Sequence, residues 1–355
     1  MSRMVGSRRG LLRTAATIAA AALVPAAAAA DSRTVTDATG RAVAVPTRIR
    51  RVFAAGPPAS ILLYVLAPDL LLGWPRAPTP QERAYLARPY DELPALGRLT
   101  GRGEGITLEA LLALGPDLIL DVGSTGPRYA ALAQEVQART GIPYLLLDGA
   151  LTRSGETLRR LGDILGRTDR AEMLAQVADS RLSEARQAAA MRPPSQRPRV
   201  YYARGPRGLE TALAGSINTE ALALVGAENV ATAPGPAGVV QVSLEQVLAW
   251  NPGVILTQEP TFYAAVRQDP LWGPIDAVRQ GRVYLAPKEP FGWFDFPPSV
   301  NRLIGLEWLP RVLFPDEAAE GDLAAAVALF YRRFYQVELS APALAALLGP
   351  ATGRP

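Results

Sequence analysis

Ile106-Thr-Leu-Glu-Ala-Leu-Leu-Ala-Leu-Gly-Pro-Asp-Leu-Ile-Leu120 returns later in the chain as Val242-Ser-Leu-Glu-Gln-Val-Leu-Ala-Trp-Asn-Pro-Gly-Val-Ile-Leu256. At a constant offset, Leu108/Leu244, Glu109/Glu245, Leu112/Leu248, Ala113/Ala249, Pro116/Pro252, Ile119/Ile255 and Leu120/Leu256 are identical pairs. Each copy opens on Thr107 or Ser243, whose hydroxyl can accept from a main-chain N–H in the first turn of a helix. The amphipathic helix that follows ends at Gly115-Pro116 or Asn251-Pro252, because proline cannot continue it. Leu118–Leu120 and Val254–Leu256 then form apolar runs without alternation, as strands covered on both faces do. A repeat of this length predicts two similarly built α/β lobes.

The flanking sequence agrees with that reading. Strands are expected at Arg51–Ala55 and Tyr144–Leu147 in the first lobe, with helices at Ala59–Leu66 and Tyr129–Thr140. In the second lobe, strands are expected at Arg199–Ala203 and Val283–Ala286, with a helix over Asn218–Val225 that stops at Gly226. Alternating strands and helices build parallel sheets. Between the lobes, Gly155–Ala190 is almost wholly helix-forming, with an apolar stripe through Leu158, Leu161, Leu165, Leu174, Val177 and Leu182. Gly166-Arg-Thr-Asp169 splits it into a short helix and a longer one capped by Thr168. The expected fold is α/β: two Rossmann-like lobes with parallel sheets, joined by a long backbone helix stiff enough to limit closure to a small hinge motion. The expected divisions are 1–30, 31–152 (N-terminal lobe), 153–192 (backbone helix), 193–300 (C-terminal lobe) and 301–355 (helices packing on the second lobe).

Residues 1–30 have the organisation of an export signal. Ser7-Arg-Arg-Gly-Leu-Leu-Arg13 is a twin-arginine stretch; an apolar run and the small residues Ala26–Ala30 follow, with cleavage expected near Ala30. Thr14–Val24 falls short of the about 20 apolar residues of a membrane span. The charge argument changes with its removal. The whole chain carries 37 cations against 33 acids, and taking away Arg3, Arg8, Arg9 and Arg13 leaves 33 against 33. The apparent basicity belongs to the signal, so neither nucleic acid nor a membrane surface is implied as a partner. Lys288 is the single lysine. The absence of cysteine excludes disulfides and thiolate metal sites, and also the N-terminal cysteine that a bacterial lipid anchor needs. The absence of histidine removes His-based triads, HExxH zinc sites and His-ligated haem. A soluble, monomeric periplasmic protein without a resident cofactor is expected.

In this organisation the chain resembles the iron-siderophore and cobalamin periplasmic binding proteins, the helical-backbone metal receptors of binding-protein class III. The resemblance runs from Arg51 to about Pro315 and rests on the duplicated segment. Gly208-Leu-Glu-Thr211, Ala214-Gly-Ser-Ile-Asn218 and Gly226-Ala-Glu-Asn-Val230 support it. It implies the binding component of an ABC importer, which holds a solute between its lobes and delivers it to membrane permease subunits. It further implies that Glu109 and Glu245 are the two carboxylates that dock into arginine pockets of the permease. Both lie in a helix's first turn, where the helix dipole favours a carboxylate; supporting that helix terminus is the plainer role for each.

The resemblance, and the general rule for open α/β sheets, put the solute at the carboxyl ends of the strands. That selects Gly56-Pro-Pro-Ala-Ser60, Trp74, Gly123-Ser-Thr-Gly-Pro-Arg-Tyr129, Ala203-Arg204-Gly-Pro-Arg207, Thr261-Phe-Tyr263 and Phe291-Gly-Trp-Phe-Asp-Phe-Pro-Pro-Ser299. The candidate contacts are Trp293, Arg204, Tyr129, Trp74, Arg207 and Ser60, with Trp293 facing the cleft and Arg204 pairing an anion. Arg128 and Arg102 are weaker candidates. Gly101-Arg-Gly-Glu-Gly105 lacks the GK[ST] of a phosphate loop. Aromatics with arginines suit a metal chelate or an oxyanion. Ferric siderophore comes first; cobalamin, haem held by a Tyr, and molybdate or tungstate stay open, and no protein metal site is expected. Two other classes stay open. An exported α/β enzyme would use carboxylates such as Asp121, Asp148 and Asp295, but nothing brings two together, and Gly215-Ser216 lacks the G-x-S-x-G pattern. A sensor that binds without feeding a transporter would share the fold.

Overall fold

The computed structural model describes residues 31–233, 238–315 and 322–351. The expected export segment, residues 1–30, and the cleavage expected near Ala30 lie outside the described residues. Strands β1 (Ser32–Thr36) and β2 (Ala42–Pro46) form an antiparallel hairpin. Strands β3 (Val52–Ala54), β4 (Leu118–Gly123) and β5 (Tyr144–Asp148) form a parallel sheet in the order β3-β4-β5. Further along come β6 (Arg199–Ala203), β7 (Glu210–Ala212), β8 (Glu228–Asn229), β9 (Val239–Gln241), β10 (Val254–Thr257) and β11 (Val283–Leu285). Their second parallel sheet has the order β11-β10-β6-β8, and β7 pairs with β9 beside it.

The duplicated segment folds the same way twice. Thr107 Oγ accepts from the N–H of Ala110 at 3.2 Å to start the helix Leu108–Leu114, and Ser243 does the same for Gln246 and Leu244–Trp250 at 3.3 Å. Both helices stop on a left-handed residue, Gly115 at φ 58° and Asn251 at φ 40°. The likeness extends to the start of each sheet's first strand. Arg51 donates to the carbonyls of Leu114 and Gly115, and Arg199 to that of Asn251, so each guanidinium sits on the negative end of its repeat helix. Strand pairing keeps the same register: Val52 lies opposite Leu118, and Val200 opposite Val254.

Alternation along the strands assigns their two faces to different cores. Leu118 and Leu120 of β4 join Val254 and Leu256 of β10 in one apolar cluster, with Leu174, Ala178 and Leu182 of the long helix. Ile119 and Ile255 point the other way, into separate clusters. The inner faces of both sheets therefore share a core with the backbone helix, and close-packed cores resist large rearrangement. The helical region comprises Ser154–Leu165, ended by left-handed Gly166, and Thr168–Ala190, about 34 Å long at 1.5 Å per residue. The two run in opposite directions in very close contact. A Cβ on Gly162 would lie 2.2 Å from that of Ala171, and one on Gly155 2.1 Å from an oxygen of Asp179.

Two expectations are corrected here. Thr168 is the first helical residue, not the cap; Arg167 holds the cap position without a side-chain bond and reaches Asp69 at 2.6 Å instead. The segment beyond residue 300 does not pack on the second lobe alone. Its helix Arg302–Leu313 lies against the long helix, but farther on Tyr64 Oη donates to the Tyr335 carbonyl at 2.6 Å and Tyr85 Oη to that of Ala343 at 3.3 Å. An aromatic cluster of Tyr64, Trp74, Phe291, Phe330 and Tyr335 holds that segment against the first lobe with apolar burial. Among the described residues no helix is long and apolar enough to cross a membrane.

Candidate functional site

The carboxyl ends of β3, β6, β10 and β11 open into one cleft of about 690 Å³ between the two sheets. The lobes are knotted together on one side of it. Arg302, almost wholly buried, donates to the carbonyls of Gly149 (2.8 Å) and Ile217, and lies 3.1 Å from Glu220, whose carboxylate also accepts the Leu151 N–H at 2.8 Å. Ser299 Oγ adds a bond to the Pro58 carbonyl at 2.9 Å.

Cations and carboxylates line both sides of the cleft in pairs. Arg76 forms a fork with Glu82, which also closes the capping box of the helix Pro80–Arg83 with Thr79. Arg204, directly after β6, places Nη1 2.6 Å from Asp295 Oδ2 and Nε 3.1 Å from Glu210 Oε1. Asp295 is fully buried and also accepts from Asn218 Nδ2 at 2.7 Å. Burial raises its carboxyl pKa, against the opposing pull of Arg204 and Asn218. Burial also opposes the charge on Arg204, yet Tyr202, Asp295 and Glu210 hold its pKa above the usual value. From the first lobe, Arg102 Nη1 reaches Glu210 Oε2 at 2.7 Å.

Arg98 differs from these arginines. It forms no ion pair among the described residues; Nη1 donates to the Arg102 carbonyl, and Nε is buried with no hydrogen-bond partner. Burial first, then the neighbouring Arg76, pushes its pKa down. A half-buried guanidinium with an orphaned donor, lining a cleft, is where an anion would be stabilised. On the far side Glu289 leaves Oε2 buried without a partner, and burial and Glu82 raise its pKa. Trp74, its indole N–H bonded to the Tyr90 carbonyl at 2.7 Å, and Phe291 lie 5.9 Å apart in the apolar part of the lining, and Phe296 adds an exposed ring.

Of the residues singled out from sequence, Ser60, Trp74, Arg204 and Arg102 line this cleft. The Ser60 hydroxyl already donates to the Pro57 carbonyl at 2.8 Å. Tyr129, at the start of the helix Pro127–Thr140, and the exposed Arg207 are not in the lining. Trp293 is corrected: it is fully buried, with Nε1 3.1 Å from Tyr331 Oη, and its neighbours Phe291 and Phe296 face the cleft instead. Arg76, Arg98 and Glu210 were missed. Arg76 and Arg98 sit in irregular connections with no periodicity, and Glu210 opens the three-residue strand β7; the close following of Glu210 on Arg204 was the one available sign. Glu109 and Glu245 are both exposed at the second position of the paired repeat helices. Among the described residues no group of three or more acidic side chains is arranged to hold a metal ion.

A family profile described as periplasmic binding protein matches residues 68–290. The chain is 37% identical over 113 residues to the molybdate-binding protein MolA of Haemophilus influenzae, covering 31% of this chain and 32% of that protein. It is 32% identical over 162 residues to a vitamin B12-binding protein of Pectobacterium atrosepticum, covering 43% and 54% respectively. The matches thus span about a third and about half of these relatives' own lengths. The solved structure of an ABC transporter solute binding protein from Sulfurospirillum deleyianum superposes with a TM-score of 0.81 at 33% identity, over 89% of this chain and 99% of that one. With two parallel sheets, a long backbone helix and a cleft at the strand ends, the chain belongs to the periplasmic binding protein family, in its class III form.

Proposed function

We propose that the chain is the solute-binding component of an ABC importer and that it takes a compact oxyanion of the molybdate type in the cleft. Arg98 carries this reading: it lines the cleft with no ion pair among the described residues, and a tetrahedral oxyanion would supply the missing counter-charge without needing a protein metal ligand. The relative named as molybdate-binding lends support. Among the described residues no three or more acidic side chains are grouped as metal ligands, and the chain has no His or Cys, so direct coordination of a bare transition metal is disfavoured. Export through residues 1–30, docking through Glu109 and Glu245, and action as a monomer complete the reading.

A second reading, an anionic metal chelate such as a ferric siderophore or cobalamin, has its own observation. The cleft's 690 Å³ exceeds what a tetrahedral oxyanion fills, and Trp74, Phe291 and Phe296 offer stacking surfaces. Tryptophan-fluorescence titration with molybdate, tungstate, sulfate, a ferric hydroxamate and cobalamin separates the two. Saturable quenching by molybdate or tungstate supports the first reading. A response to the chelates alone transfers the site to the second, and silence to every anion overturns both. Solute-dependent stimulation of the importer's ATPase separates delivery from sensing.

A further inference from the structure

Glu210 joins the two sides of the cleft. Its Oε2 lies 2.7 Å from Nη1 of Arg102, on the first lobe, and its Oε1 lies 3.1 Å from Nε of Arg204, on the second. The position is set by main chain: the Arg204 N–H donates to the Glu210 carbonyl at 2.7 Å and the Glu210 N–H returns to Arg204 at 3.2 Å, so the two side chains are neighbours by register. Gln241 Nε2 adds a longer contact at 3.4 Å. Burial would raise the Glu210 carboxyl, but Arg102 and Arg204 hold it below the usual range, so it stands as an anion.

The other carboxylate on Arg204 is of a different kind. Asp295 has no exposed surface and is anchored by Asn218 and Tyr202 as well as by Arg204. Glu210 has only the guanidiniums and one weak amide contact, and its Arg102 partner is largely exposed. Arg102 also sits on the loop that covers Arg98: its carbonyl accepts from Arg98, and a Cβ on left-handed Gly103 would run into the Arg98 guanidinium at 2.5 Å. One carboxylate therefore engages both lobes at a place where an anionic solute would meet the same guanidiniums.

We propose that Glu210 is a built-in counter-anion of the empty cleft, which ties Arg102 to Arg204 and is displaced when an anionic solute takes over those guanidiniums. The displacement half rests on the anionic-solute reading above; the tie between lobes does not. Two consequences follow for the solute. It must outcompete a carboxylate already in place, which favours dianions with several acceptor oxygens over monoanions such as chloride or formate. Its binding also exchanges one interlobe link for another, so empty and loaded protein keep a similar separation of lobes.

The chain has no cysteine, so two introduced cysteines, Gln134→Cys and Ala264→Cys on exposed helical positions of the two lobes, report the interlobe distance by spin labelling without background. That distance is measured in solute-free protein for the parent, Glu210→Gln and Arg102→Ala; Arg102 is exposed enough that its loss does not threaten folding. Molybdate affinity is measured for the parent and Glu210→Gln. The proposal expects a longer or broader distance distribution in both variants, and molybdate binding about tenfold tighter in Glu210→Gln. A solute-free distribution unchanged in either variant overturns the tie. Unchanged or weaker molybdate binding in Glu210→Gln overturns the displacement, the weaker case making Glu210 a solute contact. If the parent binds no molybdate, the oxyanion reading fails, and the distance measurement still decides whether Glu210 ties the lobes.

Discussion

Arg204 Nη1 and Asp295 Oδ2 are 2.6 Å apart, and the carboxylate is sealed from solvent beneath the cleft. The pair fixes the guanidinium immediately after β6, where the second sheet meets the solute space. Removing one partner of a buried ion pair strands the other, at a cost of about 3–5 kcal/mol. Asp295→Ala is expected to lower stability in denaturant unfolding by that order. Asp295→Asn, which keeps the side-chain volume and one of the two acceptor oxygens, is expected to cost less.

The Glu210 links carry a pH signature. A carboxyl held below its ordinary value adds stability that is fully present above about pH 4.3 and is lost as the pH falls through the depressed value. Arg102 is largely exposed, so the interlobe part is worth at most about 1 kcal/mol. The stability difference between the parent and Glu210→Gln is expected to be constant from pH 7 to about 5 and to shrink below about pH 4. A difference that grows on acidification would contradict the assignment.

Gly162 allows the helix Ser154–Leu165 to touch the long helix at Ala171. A methyl there has no room, so Gly162→Ala is expected to destabilise by about 1–3 kcal/mol despite its better helix propensity. Thermal unfolding checks the sign. A stabilised variant would mean that the two helices separate without cost.

Glu109 and Glu245 are exposed and set by matching caps. Glu109→Ala with Glu245→Ala is expected to leave solute affinity unchanged and to abolish uptake by cells dependent on this importer. Undiminished uptake would remove both from the docking surface.

The repeat made the architecture readable from sequence because its signals are local. A hydroxyl cap, a left-handed stop and a proline act within a few residues, and they recur at Thr107/Ser243, Gly115/Asn251 and Pro116/Pro252. Arg204 was accessible for the same reason, as the first residue past a strand. Trp293 was not, since which of Phe291, Trp293, Phe294 and Phe296 turns inward depends on Tyr331, which arrives 38 residues after Trp293 and bonds its indole. The C-terminal segment's attachment to the first lobe likewise depends on Tyr64 meeting Tyr335 across most of the chain. Arg98 left no trace in the pattern. Its importance lies in a partner it lacks, which only the folded surroundings reveal.

Calorimetric titration of molybdate into the parent protein and Arg98→Ala tests the central claim most directly. Losing a charge-assisted bond to a desolvated anion costs about 1.5–3 kcal/mol, which is about tenfold to a hundredfold in affinity. The parent is expected to bind molybdate at a single site, and Arg98→Ala at least about tenfold more weakly with an unchanged melting temperature. Equal affinity in the two proteins, or no binding by the parent, would contradict an oxyanion site built on Arg98.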